Sequence, residues 1–280
     1  MFYFFLAGME YVKDKAIILS TRDYGEADRL VAFLTQHYGK VIGIAKHARK
    51  SKRRFVNSLD IFNLVEIEYG ERRLPGLVFI KKAILVESFS GLREDILKLS
   101  CAGLIAESIK ETVPEREKQP EIFELLAGSL IEMEISKDPI NVSCLSLWRL
   151  LSLLGLSPRL GTCLICKRKT STHGMWNFDP HVGGTVCIEH RKKGRAMTIL
   201  SKGIISLLER TRGTEIERLW RFKFRPDDKI SVLQMLVGYI QCHIDRPLKS
   251  MYVLFQLGYN VNFRKTCEKV FNNKNSVLSC

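Results

Sequence analysis

The sequence predicts an α+β protein, in which a small five-stranded β-barrel precedes an α-helical domain that carries an inserted metal-binding module. Three observations support this prediction. Five short runs rich in Val, Ile, Leu and Phe follow one another in the first 87 residues. A helical period of apolar residues begins after Ser90. A CxxC pair and a later CxxH pair then interrupt the helical part between positions 163 and 190.

The first predicted domain covers residues 1–87. Turn signals such as Tyr24-Gly25 and Tyr38-Gly39 separate its β-rich runs, and no long helix lies between them. This arrangement is typical of the OB fold, a five-stranded barrel whose strands and loops bind oligonucleotides. The SH3-like barrel is the competing architecture. The predicted strands are 15–22, 29–36, 40–46, 59–69 and 74–88.

The second predicted domain, residues 88–260, is helical, and residues 261–280 form a polar tail. Trp148, Cys101 and Cys144 have apolar neighbours and are predicted to lie in its core. The predicted helices are 92–113, 121–135, 139–156, 198–211, 227–244 and 245–258.

The insertion at about 161–195 contains the strongest local signal in the chain. Two thiolates from the CxxC pair, with one thiolate and one imidazole from the CxxH pair, suit a tetrahedral zinc ion. Because four protein ligands fill the zinc shell, the predicted site is structural and has no open position for catalysis. His173 and His181 are alternatives for the fourth ligand, without the same spacing. The predicted ligands are Cys163, Cys166, Cys187 and His190.

Charge indicates the kind of partner. The chain has a formal net charge of +14, which suits nucleic acid, acidic lipid or an acidic protein surface. Basic side chains concentrate in the predicted connection between the third and fourth strands, where each could neutralise a phosphate. Two further arginines at a later turn extend this surface. The predicted DNA-binding residues are Lys46, Arg49, Lys50, Lys52, Arg53, Arg54, Arg72 and Arg73.

Aromatic side chains of the barrel could stack on unpaired bases. Phe33 and Phe62 stand in apolar patterns and are predicted to be buried, whereas Tyr38 and Phe55 flank turns and are predicted to be exposed. Tyr24 and Tyr69 are further stacking candidates.

The order of these features resembles the RecO family of bacterial DNA repair proteins. The resemblance runs from Tyr11 to Leu257 and rests on "GEADRL" and "YGK" near the second strand, the basic loop, the helical bundle, the CxxC insertion and the late "RPLKS". It implies a recombination mediator that binds single- and double-stranded DNA and anneals complementary strands. It also implies that the protein works with RecR and single-strand binding protein to load RecA. In the family a cysteine commonly stands at position 190, where this chain has His190.

Two other classes of function are considered. One is a zinc-stabilised adaptor whose basic faces bind acidic protein tails, with DNA contact secondary. The other is an enzyme, such as a nuclease or a zinc hydrolase, but the sequence has no GxxxxGK[ST] loop, no HExxH motif and no close acidic cluster. Scattered cysteines favour a reducing cytoplasm, with attachment to the nucleoid through DNA. The apolar opening run, of about eight residues, is too short for a membrane span or an ordinary signal peptide, and no membrane contact is expected.

Overall fold

A computed structural model describes residues 10–51, 53–71, 76–169, 174–192 and 195–258. The protein combines an N-terminal five-stranded sheet with a helical region, as predicted. The chain divides into two units, the first comprising Met1–Arg93 and Val113–Ile131 and the second comprising Glu94–Thr112 and Glu132–Cys280. The predicted polar tail, 261–280, lies outside the described residues.

The first unit is built on strands that each pair with two neighbours, so that their order, β1-β2-β3-β5-β4, returns to β1. All pairings are antiparallel except that of β3 with β5. Alternate residues of each strand face one apolar core, as the period of a strand requires, and Phe33 meets Tyr69 edge to face at 5.5 Å. The strands are β1 (Glu10–Tyr24), β2 (Asp28–Thr35), β3 (Gly39–Ala45), β4 (Leu64–Glu71) and β5 (Val78–Glu87).

The strand boundaries differ from the predicted ones: the first strand runs from Glu10 to Tyr24 instead of 15–22, and the fifth begins at Val78 instead of 74. The fourth strand begins at Leu64 and not at 59, because Phe62 adopts a left-handed backbone with φ of 74° that breaks the extended run. Phe62 is nevertheless buried, as is Phe33, in agreement with the prediction. Between β3 and β4 the chain forms a short 3-10 helix, Ala48–Lys50, and a series of turns.

The second unit contains most of the helical part. The helix Pro139–Leu153 (α3) has a capped N-terminus, since Asp138 accepts a hydrogen bond from the backbone N–H of Asn141 and Pro139 occupies the first turn. Trp148, Cys101 and Cys144 are fully buried, as predicted. The helices of the chain are α1 (Ile96–Thr112), α2 (Pro120–Ile135), α3 (Pro139–Leu153), α4 (Lys202–Thr211), α5 (Ile216–Leu219), α6 (Pro226–Ile244) and α7 (Ser250–Gln256).

A three-stranded antiparallel sheet interrupts these helices. Its order is β7-β6-β8, and it comprises β6 (Met175–Asp179), β7 (Gly184–Val186) and β8 (Thr198–Ser201). The helix predicted from 198 therefore begins only at Lys202. The β-branched residues Thr198 and Ile199 pair with β6 instead, and Ser201 caps α4 by accepting a hydrogen bond from Ile204 N–H.

Candidate metal centre and basic loop

The structure brings the four predicted metal ligands together. Their ligand atoms all lie within 4.8 Å of one another. Cys187 Sγ is 3.1 Å from His190 Nδ1 and 3.9 Å from Cys166 Sγ, and Cys163 Sγ is 3.7 Å from His190 Nδ1. A tetrahedral zinc ion with Zn–S bonds of about 2.3 Å would separate its ligand atoms by roughly 3.8 Å. The donor set and its spacing therefore fit such an ion.

The first pair of ligands sits on a tight turn. Cys163 N–H donates to Arg168 O at 2.8 Å, and Lys167 N–H donates to Cys163 O at 2.9 Å. Lys167 takes a left-handed backbone, with φ of 61°, to close this turn. These bonds bend the chain back on itself, so that both thiols point to the same side.

The second pair sits on a turn of 3-10 helix, Ile188–His190, in which His190 N–H donates to Cys187 O at 3.0 Å. Two hydrogen bonds to Thr185, just before the second turn, join the turns: Leu164 N–H donates to the backbone Thr185 O, and the Thr185 side-chain Oγ1 donates to Thr162 O at 2.8 Å. This scaffold explains how ligands that are distant in sequence meet.

The electrostatics of the cluster favour a thiolate. Burial opposes ionisation of Cys163, but hydrogen bonds from the backbone N–H groups of Cys166, Cys187 and Ile165 outweigh it and lower its pKa to about 6. Burial raises the pKa of Cys187. Of the alternative fourth ligands, His181 faces Cys242 Sγ at 3.8 Å instead, and His173 lies outside the described residues.

The predicted DNA-binding loop is tied to its neighbours in the first unit. Arg49 N–H donates to Ala27 O in the turn between β1 and β2, and Ala83 N–H in β5 donates to Arg54 O. Ala48, Phe55 and Leu59 join the apolar core of the five-stranded sheet. Phe55 was expected to be exposed, but it is only 6% exposed because the loop folds over this apolar core.

Some of the loop cations have carboxylate partners that the sequence did not reveal. Lys46 pairs with Asp28, and Arg49 Nη1 lies 3.5 Å from Asp23 Oδ2. Arg54 donates to Lys46 O at 2.7 Å and stacks on the Phe55 ring at 5.1 Å. The only clue to these acidic partners was the run "DYGEAD", which ends where β2 begins.

Two of the predicted residues remain fully available to a ligand. Lys50 and Arg53 are exposed, and neither pairs with a carboxylate among the residues that the structure describes. Lys52, Arg72 and Arg73 lie outside the described residues. Tyr24 and Tyr38 are exposed, whereas Tyr69 is buried. No helix in the described parts of the chain has the length and apolar character needed to cross a membrane.

Comparison with known proteins identifies the family. Residues 9–89 match the family model described as "Recombination protein O N terminal", and residues 93–252 match "Recombination protein O C terminal". The chain is 36% identical over 248 residues to the DNA repair protein RecO of Syntrophobacter fumaroxidans, covering 89% of this chain and 98% of that one. It is 33% identical over 255 residues to the RecO protein of Desulfatibacillum aliphaticivorans, with the same coverage. The chain thus belongs to the recombination protein O family, which takes part in DNA repair and recombination as a mediator and not as an enzyme.

Proposed function

We propose that this protein binds single- and double-stranded DNA, anneals complementary strands and helps to load RecA on strands covered by single-strand binding protein. The observation that carries the proposal is the basic loop between β3 and β4. Backbone hydrogen bonds hold this loop to the turn between β1 and β2 and to β5. Lys50 and Arg53 are exposed on it, and neither pairs with a carboxylate among the residues that the structure describes. A fixed loop with available cations can bind phosphates at a small entropic cost.

We infer that the barrel is of the OB type. The parallel pairing of β3 with β5 and the return of β4 to β1 support this inference, because a small β-barrel closes in this way without leaving strand edges. The exposed Tyr24 and Tyr38 could add base stacking to phosphate binding. Lys46, Arg49, Arg54 and the residues outside the described part, Lys52, Arg72 and Arg73, complete the proposed DNA surface.

Annealing of this kind needs no catalytic group. Complementary strands repel each other through their phosphates, and a cationic surface that holds one strand with its bases accessible lowers that repulsion. The strands then pair through their own hydrogen bonds and stacking.

The metal module is proposed to be structural. Cys163, Cys166, Cys187 and His190 would hold Zn²⁺, which supplies four coordinate bonds to a segment with a small apolar core of its own. Residues 1–87 are proposed as the DNA-binding domain, and residues 88–260 as the helical domain with the zinc module at about 161–195. Val113–Ile131 belongs to the unit that contains the barrel, so these boundaries describe chain segments and not folding units.

The proposed partners, besides DNA, are RecR and the C-terminal tail of single-strand binding protein. The proposed location is the cytoplasm, with association with the nucleoid when DNA is bound. Membership of the RecO family supports these proposals.

The deciding experiment is annealing of two labelled complementary strands, each coated with single-strand binding protein. It compares the wild-type protein with a variant carrying Lys52→Glu, Arg53→Glu and Arg54→Glu. We expect the wild type to anneal the strands and the variant to fail.

A matched control reverses three exposed lysines elsewhere in the chain, Lys118→Glu, Lys137→Glu and Lys223→Glu. Equal annealing by the wild type and the loop variant would remove the loop from the DNA surface. Failure of the wild type itself would refute the annealing function.

A further inference from the structure

The three thiol ligands of the metal cluster differ in their access to solvent. Cys166 is exposed, whereas Cys163 is 0% and Cys187 is 6% exposed. A cysteine binds zinc as its thiolate, which is also the form that reacts with oxidants. Oxidation of cysteine follows thiolate character and exposure together. Cys166 is therefore the ligand of this cluster that a small oxidant in solution reaches first.

A second thiol lies close to the exposed one. Cys187 Sγ is 3.9 Å from Cys166 Sγ, so the two sulfur atoms need to approach by roughly 1.9 Å to reach the length of a disulfide bond. The turns that carry them are already joined, because Leu164 N–H donates to Thr185 O and each of these residues stands two positions before one of the cysteines. A disulfide here would link segments that folding has already brought together.

The third thiol is less suited to this reaction. Cys163 is fully buried, and its sulfur accepts hydrogen bonds from the backbone N–H groups of Cys166, Cys187 and Ile165. These bonds fix the position of the sulfur and occupy its lone pairs. Its other close neighbour is His190 Nδ1, at 3.7 Å, which is not a thiol. Once Cys166 and Cys187 are paired, Cys163 has no sulfur left in the cluster to join.

We propose that Cys166 is a site of oxidation by hydrogen peroxide and that it forms a disulfide with Cys187. The Cys166 thiolate attacks one peroxide oxygen, so that an S–O bond forms, the O–O bond breaks and the leaving hydroxide takes a proton from solvent to become water. The Cys187 thiolate then attacks the Cys166 sulfur. The S–S bond forms, the S–O bond breaks and a second hydroxide leaves as water. Two thiolates are oxidised to one disulfide, and the peroxide is reduced to two waters.

The consequence of this reaction is loss of the metal ion. The disulfide removes two of the four protein ligands, and Cys163 and His190 do not complete a tetrahedral shell. A thiol reductant that restores both thiolates also restores the site. This inference rests on the proposed zinc site, but it does not depend on DNA binding or annealing.

The test treats the full-length, zinc-loaded protein with hydrogen peroxide and follows released zinc with a chromogenic chelator. Thiols are then alkylated after denaturation, and mass spectrometry of peptides locates the disulfide. We expect about one zinc ion for each disulfide between Cys166 and Cys187, and we expect dithiothreitol with added zinc to reverse both changes. Cys101 and Cys144 are internal controls that should stay reduced, because both are fully buried and burial raises the pKa of Cys101 to about 12.

Two variants with equal numbers of ligands separate the roles of the thiols. Cys163→His and Cys187→His each leave two cysteines and two histidines, a set that also binds zinc tetrahedrally. Cys163→His keeps the reacting pair and should form the disulfide as the wild type does. Cys187→His lacks the second thiol, so Cys166 should stop at the sulfenic acid, which dimedone traps. Zinc content before oxidation shows whether each variant has kept the site.

Several outcomes would overturn the proposal. A disulfide that includes Cys163 in the wild type would contradict the pairing, and zinc release with all three thiols still reduced would contradict the oxidation. Retention of zinc at a peroxide dose that already oxidises Cys101 or Cys144 would show that Cys166 is protected. Absence of zinc from the untreated wild type would instead refute the proposed metal site, and the peptide map would still decide whether Cys166 pairs with Cys187.

Discussion

The Asp28 carboxylate accepts a hydrogen bond of 2.8 Å from the backbone N–H of His47. The other oxygen of the same carboxylate accepts from Lys46 Nζ. Asp28 is the first residue of β2, and His47 adopts a left-handed backbone, with φ of 54°, just before the 3-10 helix of the basic loop. One side chain therefore fixes the direction in which the loop leaves β3.

Asp28→Ala should reduce the free energy of unfolding by about 1–2 kcal/mol, because it leaves the His47 N–H without its acceptor. Asp28→Asn keeps an acceptor oxygen and should cost about half as much. Chemical denaturation of both variants measures these losses. An Ala variant as stable as the wild type would show that the loop start does not depend on this carboxylate.

The contribution of Asp28 to the free energy of unfolding should depend on pH. Burial raises the pKa of Asp28, but its bonds with Lys46 and His47 and the charge of Lys46 outweigh this and hold it below its usual value. A carboxyl whose pKa is lower in the folded state stabilises the fold above its unfolded pKa, about 3.9, and loses this contribution as pH falls through the folded value. The difference in stability between the wild type and Asp28→Asn should therefore be full at pH 7 and shrink below about pH 4. A difference that stays constant down to pH 2 would contradict this.

The loop cations should contribute unequally to DNA binding. Lys50→Gln with Arg53→Gln should lower the salt slope of duplex binding by up to roughly 1.8, about 0.9 for each lost phosphate contact. Lys46→Gln should change the slope less, because Lys46 already pairs with Asp28. Titration of labelled DNA between low and moderate salt measures the slopes. Equal slopes for the Lys46 and the Lys50 with Arg53 variants would mean that the ion pair opens freely on binding.

Loss of one metal ligand should release the ion. Cys166→Ser should reduce zinc from about one ion per chain to near zero, and the fluorescence of the buried Trp176 should shift towards that of exposed tryptophan. His190→Cys should keep the ion, since four thiolates also form a tetrahedral site. Mass spectrometry of the metal content and emission spectra give the two readouts.

Cys242→Ser is the control, because Cys242 lies outside the cluster. Unchanged zinc in Cys166→Ser would refute the assignment of this ligand.

Gly39 should tolerate no side chain. Its φ is 72°, and a Cβ there would stand 1.9 Å from Glu117 O, which is backbone and cannot move aside cheaply. Gly39→Ala should therefore reduce the free energy of unfolding by well over the roughly 1 kcal/mol that a left-handed Ala costs by itself. Gly25→Ala is the matched control, since Gly25 has a φ of 63° and nothing within 4 Å of a Cβ. Similar melting temperatures for the two variants would contradict this reading of the Gly39 contact.

Local patterns predicted the five strands of the first unit and most of the helices, and they indicated which Cys and His side chains meet in the insertion. Strand and helix periods are properties of short segments, and the CxxC and CxxH pairs carry their own turn geometry, so the approach of Cys163 to His190 could be expected. Local sequence patterns did not predict the contacts between distant segments. The sequence indicates neither that Asp28 neutralises Lys46 nor that the loop folds Phe55 into the core of the five-stranded sheet, because both depend on segments that meet only after folding.

The short strand β8 was missed for the same reason. Thr198 to Ser201 leads directly into a helical pattern, and its partner, β6, lies about twenty residues earlier. Only the pairing with β6 makes it a strand.

The first unit takes residues from two stretches of the chain. Arg116 N–H donates to Lys40 O at 2.8 Å, and the unit includes Val113–Ile131 as well as the five-stranded sheet. During synthesis the ribosome must therefore make the intervening helix α1 before the five-stranded sheet receives its contacts with Val113–Ile131. At about 5–20 residues per second this delay lasts roughly two to eight seconds. In that interval the nascent sheet lacks its contacts with Val113–Ile131, and a truncated protein that ends at Arg93 would lack them permanently.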